Sequence, residues 1–446
     1  MRSSLPLAVA QLLLLMLIGL PSSAAVPPEP DLTASAHQVV DLMAKGDYQG
    51  VEARFAASVR PMVTAQRLGA AWRSILDDAG AFRGQGETRM ERGTAGSAVY
   101  VTCIFDREVL LAKVVFMPGG ELAGLFFQPV LAPKPLGPAA YVRPESFMEK
   151  EATVGSGRWA LPATLSVPKG AGPFPAVVLV HGSGPLDRDE TLGPNKPFRD
   201  LAWGLASQGI VVLRYDKRTF AHGDLLRPVP PDFTVKNETV DDALAAAALL
   251  RGTPGVNPAK VFLLGHSLGA ELAPRMAERD PKLAGLILLA AGTEKSEEAL
   301  LRQTAYLLSQ GGASPADQQK KLEEIRKTFA PLRQPAKSVT PDTAIMGVPV
   351  GYWRDLDAYD PLAAARKLAI PMFFLRGGRD YQVPPKELDA FQAALSGRGE
   401  VTFKLYPKLN HLFIAGEGQS GPKDYAVPGH VDQEVVDDVA AWILSH

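Results

Sequence analysis

Past residue 30, apolar positions recur at helical spacing, first Val39, Val40, Leu42 and Met43, then Val51 and Phe55, then Leu68, Trp72, Ile75 and Leu76. Residues three and four apart share one face of a helix, so two or three short helices are expected. From Gly80 the period shortens to two. Val99, Val101, Cys103 and Phe105 alternate with Tyr100, Thr102 and Ile104, and similar strands are expected at Val109–Phe116 and Glu121–Phe127 around the Pro118-Gly119-Gly120 turn. Helices followed by an antiparallel meander predict a small α+β domain over residues 31–128.

Pro129, Pro133, Pro135, Pro138 and Pro144 punctuate the following stretch, which predicts an extended linker over residues 129–146. Beyond it, apolar runs alternate with helical patterns: Ala176–Val180, Ile210–Tyr215, Val261–Leu264, Leu283–Ala290, Met372–Leu375 and Val401–Tyr406. Continuous apolar strands separated by helices predict a mostly parallel sheet covered on both faces, over residues 147–446. No internal repeat interrupts this α/β order. Residues 292–370 interrupt it with helical patterns at Glu297–Ser309 and Pro315–Phe329 and the aromatic segment Tyr352-Trp353-Arg354-Asp355-Leu356.

The first segment changes the picture in one respect. Arg2 precedes an apolar run from Leu5 to Leu20, which ends at Pro21 and the small residues Ser22, Ser23, Ala24 and Ala25. This is the pattern of a signal peptide over residues 1–25, cleaved after Ala24 or Ala25, rather than of a retained membrane span. An exported protein, periplasmic or secreted, is expected. Cys103 is the single cysteine, so no intramolecular disulfide can form, and it reads as a small buried hydrophobe in a strand. The 47 Lys+Arg nearly cancel the 48 Asp+Glu, which gives no electrostatic reason to expect nucleic acid as a partner.

The candidate chemistry lies where strands end. Val261-Phe262-Leu263-Leu264 runs into Gly265-His266-Ser267-Leu268-Gly269, and a helical segment follows. This G-x-S-x-G is unique in the chain, and a strand-to-helix turn of this kind exposes a serine hydroxyl at a helix N-terminus, where developing negative charge is favoured. A serine nucleophile needs a base and a group that orients the base. Asp380 follows the strand Met372–Leu375 through Arg376-Gly377-Gly378-Arg379, and His411 follows the strand Val401–Tyr406. Ser267, Asp380 and His411 therefore stand in the order of an α/β-hydrolase triad, with His430 a competing base near the C-terminus. The strand Val178-Leu179-Val180 ends in His181-Gly182-Ser183-Gly184-Pro185, a position from which the backbone N–H of Ser183, with that of Leu268, is expected to hold an oxyanion. His181 reads as a loop-orienting residue. The charged run Asp187-Arg188-Asp189-Glu190, with Lys217 and Arg218, reads as a structural ion-pair network rather than a substrate or metal site.

The run His181–Glu190, Tyr215-Asp216-Lys217-Arg218, Gly265–Gly269 and Asn410-His411-Leu412-Phe413 resembles bacterial α/β-hydrolases of the EstD-like carboxylesterase type, from about residue 147 to the C-terminus. The first domain resembles the small cone-shaped α+β domain of nuclear-transport-factor-like proteins. The resemblance implies hydrolysis of small-molecule esters through an acyl-serine, with no cofactor, and an insertion that covers the active site, where Tyr352 and Trp353 are candidates for the pocket wall. The same triad serves serine peptidases and acyltransferases, and a non-catalytic exported binding protein is the reading from another class. Oligomeric state is left open.

Overall fold

The computed structural model describes residues 31–93, 96–129, 136–226, 229–311, 314–340 and 343–446. The apolar run Leu5–Leu20 and the spacer Val26–Pro30 lie outside the described residues. The chain divides into two compact units, Met1–Ala132 and Pro133–His446.

In the first unit, the Asp31 side chain accepts the Ala34 N–H and starts the helix Leu32–Lys45, which Gly46 ends at φ 77°. Its apolar stripe buries Ala36, Val39, Val40 and Met43. The helices Tyr48–Ala53 and Ala65–Ala79 follow. The antiparallel strands β1 (Phe82–Gly93), β2 (Gly96–Phe105), β3 (Val109–Phe116) and β4 (Leu122–Pro129) pair in sequence order. Val99, Val101, Cys103 and Phe105 of β2 point into the core with Trp72, as their alternation requires. Burial pushes the Cys103 thiol up to about 12, so it behaves as a hydrophobe and not as a nucleophile. Strand β1 was not expected from the pattern, because Arg83, Gln85, Glu87, Arg89 and Glu91 give it little apolar signal.

The second unit holds an eight-stranded sheet: β5 (Phe147–Val154), β6 (Leu161–Pro168), β7 (Phe174–Val180), β8 (Val211–Tyr215), β9 (Val256–His266), β10 (Leu286–Leu289), β13 (Met372–Gly377) and β14 (Val401–Tyr406). Between β10 and β13 lies a two-stranded ribbon, β11 (Ala344–Ile345) and β12 (Val348–Pro349). The order in the large sheet is β14-β13-β10-β9-β7-β8-β6-β5. Neighbours from β14 to β8 run parallel, whereas β8, β6 and β5 pair antiparallel. Successive residues of β9 serve opposite faces: Val261 and Leu263 join one core, Phe262 and Leu264 the other. A strand buried on both faces is therefore apolar throughout.

Part of the expected linker is not a free strap. Pro129 closes β4, and beyond residues 130–135, which are not described, Ala139 and Val142 bury against Phe147 and Ala206. The Tyr141 hydroxyl donates to the Val431 carbonyl at 2.8 Å, and the Arg143 N–H donates to Ser207 Oγ at 2.8 Å. Residues 136–146 are thus part of the second unit.

Between β10 and β13 the chain builds helices Ser296–Gln310, Pro315–Thr328, Ala330–Arg333, Val350–Ala358 and Pro361–Lys367. Phe329, Ile345 and Val350 form a small core of their own there.

Candidate active site

Ser267 sits between β9 and the helix Leu268–Arg279 at φ 52°, ψ −118°, a conformation that costs a non-glycine residue energy. Its neighbours make the turn possible. A Cβ on Gly265 would lie 2.3 Å from the Gly269 carbonyl oxygen, and one on Gly269 would lie 2.3 Å from that of Val180. The Ser267 N–H donates to the Leu289 carbonyl at 2.8 Å, which ties the turn to β10. Ser267 thus stands at the C-terminal edge of the sheet, the edge from which the loops after β7, β13 and β14 also leave.

Asp380, past the end of β13, and His411, past the end of β14, meet in a buried hydrogen bond. His411 Nδ1 donates to Asp380 Oδ2 at 2.7 Å. The other carboxylate oxygen, Oδ1, accepts the N–H groups of Gln382 and Val383, each at 2.9 Å. Burial would raise the Asp380 carboxyl, but the facing His411, the Arg376 guanidinium and the Val383 N–H outweigh it and hold it below the usual carboxylate range. Arg376, 1% exposed, lies 3.8 Å from Asp380 and donates to the carbonyls of Val383 and Ala291. Burial pushes its guanidinium down to about 10.

His266, adjacent to Ser267, joins these parts. Its Nε2 donates to the His411 carbonyl at 2.9 Å, and its Nδ1 lies 3.0 Å from Glu190 Oε2, within ion-pair range but off the hydrogen-bond direction. Burial opposes charge on both partners. Their mutual attraction wins, raising the His266 imidazole and lowering the Glu190 carboxyl, with the Gly182 N–H also lowering the latter. Burial pushes the His181 imidazole down to about 4, and its Nε2 donates to the Asp187 carbonyl at 2.9 Å. The loop-orienting role expected for it agrees with this geometry.

Ser267, Ser183, Leu268 and Trp353 line one cavity of about 190 Å³. Ala299, Leu300, Leu356 and Val383 supply apolar wall, and Glu271 and Glu387 supply carboxyl groups. The helix Ser296–Gln310 covers it, and Arg302 donates from that helix to the carbonyls of Tyr381 at 2.9 Å and Gln382 at 2.6 Å, clasping the loop that carries Asp380. Tyr352 is a correction. It is buried outside the lining, its hydroxyl donating to Glu238 Oε2 at 2.6 Å and its ring stacked on Phe233, because on this helix its neighbour Trp353 takes the cavity face.

The charged run divides. Arg188 forms a two-point pair with Asp216, Asp189 meets Arg214 and Lys196, and Arg218 meets Asp242, which fits the structural network expected of them. Glu190 and Lys217 also form ion pairs, with His266 and Glu238, and in addition reach the N–H and the carbonyl of Gly182. Sequence reasoning placed these two only in the ion-pair network and gave His266 and Arg376 no role; the only signal was charge beside strand ends that are otherwise apolar. Among the described residues, no group of three His, Cys, Asp or Glu is placed to hold a metal ion, and no helix is long and apolar enough to cross a membrane.

Residues 173–419, which hold the elbow, the acid and the histidine, match the family described as serine aminopeptidase, S33. The chain belongs to this family of α/β-hydrolases. Residues 36–125 match a second family, described as a protein of unknown function (DUF3887). The chain is 44% identical over 343 residues to Esterase EstD of Thermotoga maritima, covering 77% of this chain and 78% of that protein. Among solved structures, it is similar to the 2,6-dihydroxy-pseudo-oxynicotine hydrolase, with 16% identity, TM-score 0.41 and 66% of each chain covered. Est1E from Butyrivibrio proteoclasticus is similar at 16% identity and TM-score 0.43, over 66% of this chain and 99% of that one. In this S33-family enzyme, Ser267, Asp380 and His411 all lie within the matched segment.

Proposed function

We propose that the protein hydrolyses carboxylic esters through an acyl-serine formed on Ser267. The observation that carries this reading is a strained serine at a helix N-terminus, opening on a cavity and joined through His266 to a buried histidine–carboxylate pair. In the reading, His411 Nε2 removes the Ser267 proton while Oγ bonds to the acyl carbon. The oxyanion that forms takes hydrogen bonds from the N–H groups of Ser183 and Leu268. Collapse breaks the bond to the alcohol oxygen, which receives the proton from His411, and water repeats the cycle to release the acid. Asp380 holds the imidazole in the tautomer with Nδ1–H and supports the imidazolium.

The relative named Esterase EstD supports an ester as the scissile group. A cavity of about 190 Å³, below the size that takes a drug-sized ligand, supports a short acyl chain. The apolar run Leu5–Leu20 supports export, with the division into two units supporting an accessory first domain. The test is turnover of p-nitrophenyl esters of two to eight acyl carbons beside aminoacyl p-nitroanilides, and acyl transfer to added alcohol. Ester hydrolysis exceeding both others, and declining with chain length, is expected. Preferential anilide cleavage would replace the ester reading by a peptidase one.

A further inference from the structure

Gly182 meets buried charge on both of its peptide groups, through its own N–H in the peptide with His181 and through its carbonyl in the peptide with Ser183. Glu190 Oε1 accepts the Gly182 N–H at 2.8 Å. Lys217 Nζ donates to the Gly182 carbonyl at 2.8 Å, and Lys217 is 1% exposed. Taking an ammonium out of water costs several kcal/mol and persists only where other groups stabilise the charge. Among the described residues, Lys217 has one carboxylate within 4 Å, Glu238 Oε1 at 3.4 Å. That carboxylate is itself shared: Oε1 accepts the Thr219 hydroxyl at 3.1 Å and Oε2 accepts the Tyr352 hydroxyl at 2.6 Å. Glu238 lies in a π-helical turn, Lys236–Val240, a local distortion common at functional sites. The nearest partner of the cation is therefore a backbone oxygen.

Peptide geometry gives that contact a consequence. In a planar trans peptide the C=O and the N–H point in opposite directions. Fixing the Gly182 oxygen on Lys217 fixes the direction of the Ser183 N–H, and Ser183 lines the cavity with Ser267. A cation on the carbonyl oxygen also draws electron density from the amide and makes its N–H a stronger donor, in the same sense as hydrogen bonds that polarise one another in a chain. The approach is close as well: a Cβ on Gly182 would lie 3.2 Å from Ser267 Cβ.

We infer that Lys217 is a positioning residue for catalysis, aiming and polarising the Ser183 N–H toward the oxyanion. The inference rests on the proposed acyl-serine reaction at Ser267, in which the Ser183 N–H serves the oxyanion. It also gives Tyr352 a task, since its hydroxyl holds the carboxylate that accompanies Lys217.

The test compares Lys217→Met, which keeps length and removes the charge, with Glu238→Gln, which weakens the ion pair and leaves the cation. Removing an oxyanion donor costs about 10²–10³ in kcat, so weakening one should cost roughly 10- to 100-fold. For K217M we expect that fall in kcat on a short p-nitrophenyl ester, with KM changed less than about threefold. Affinity for an alkyl boronic acid, which mimics the tetrahedral oxyanion, should fall in parallel. E238Q should keep kcat within a few-fold. Equal losses in both variants, or a K217M enzyme with unchanged kcat and boronate affinity, would overturn the inference and leave a structural ion pair. If K217M does not fold, Lys217→Gln retains a neutral donor and should show a several-fold fall with the same kcat-only signature; an unchanged kcat there overturns the inference equally. Failure of the underlying reading looks different. Wild-type turnover would then survive Ser267→Ala, whatever happens at Lys217.

Discussion

Replacing Asp380 by asparagine should lower kcat by about 10⁴ while leaving a folded protein. The magnitude follows from the hydrogen bonds around one side chain. Asp380 accepts three N–H groups: His411 Nδ1 on Oδ2, and the N–H groups of Gln382 and Val383 on Oδ1. An amide keeps only one acceptor oxygen. Turning its NH₂ toward Gln382 and Val383 would leave two part-buried donors facing a donor, at up to about 1–3 kcal/mol each. The oxygen therefore stays with the turn, and the NH₂ faces His411. Nδ1 must then accept, the ring proton moves to Nε2, and no base remains for the Ser267 proton. At about 1.36 kcal/mol per tenfold, a 10⁴ loss is roughly 5.4 kcal/mol of transition-state stabilisation. Arg376 loses its neighbouring anion but keeps the carbonyls of Val383 and Ala291, so folding should persist at lower stability. The assay is kcat on a short p-nitrophenyl ester, with thermal unfolding and circular dichroism on the same preparation. A folded D380N enzyme with kcat within tenfold of the parent would refute the reasoning.

Three further outcomes follow from the site. Gly265→Ala places a Cβ 2.3 Å from the Gly269 carbonyl and should cost at least about 3 kcal/mol, or prevent folding, as read from chemical denaturation; a neutral effect would mean that the elbow tolerates a side chain. Burial first, then the charges of Asp357 and Glu387 against that of Lys295, pushes the Glu271 carboxyl up to about 8 from an ordinary 4.5. The native state then keeps a proton that the unfolded chain releases, so this group's contribution to stability falls as pH rises from about 4.5 to 8, and KM for apolar esters should climb as the carboxyl ionises in the cavity above pH about 8; Glu271→Gln should flatten both profiles, and unchanged profiles would contradict the assignment. His430 pairs with Asp200 at 3.0 Å, so His430→Ala should retain activity within a few-fold while His411→Ala loses it by orders of magnitude, and the reverse pattern would exchange their roles.

The positions readable from sequence were those governed by local rules. Apolar runs marked β7, β9 and β13 because a strand covered on both faces has no polar alternation, whereas the edge strand β14 showed Val401, Phe403 and Leu405 alternating with Thr402 and Lys404; the chemistry stands beyond the end of each. Strands β5 and β6 escaped notice for the opposite reason. Glu149, Lys150 and Glu151 are exposed along the edge strand β5, and Pro162 and Pro168 stand near the two ends of β6, so neither shows an apolar run. The contacts missed at the site act across distance: Lys217 reaches a carbonyl 35 residues away, and His266 one 145 residues away. Nothing in the local pattern of Tyr352-Trp353 distinguishes the ring that fills the core from the ring that lines the cavity, because that choice depends on Glu238 and Phe233 lying on the other side.

The central claim is that Ser267 carries the acyl group. Intact mass measurement after brief exposure to a fluorophosphonate, or after rapid acid quench during turnover of a slow p-nitrophenyl ester, tests it directly on the whole chain. One adduct per chain is expected, mapped by peptide sequencing to the segment containing Gly265–Gly269, absent in Ser267→Ala, and accompanied there by a loss of turnover of about 10⁶. An adduct on another residue, or a folded Ser267→Ala protein that still hydrolyses esters near the parent rate, would contradict the account.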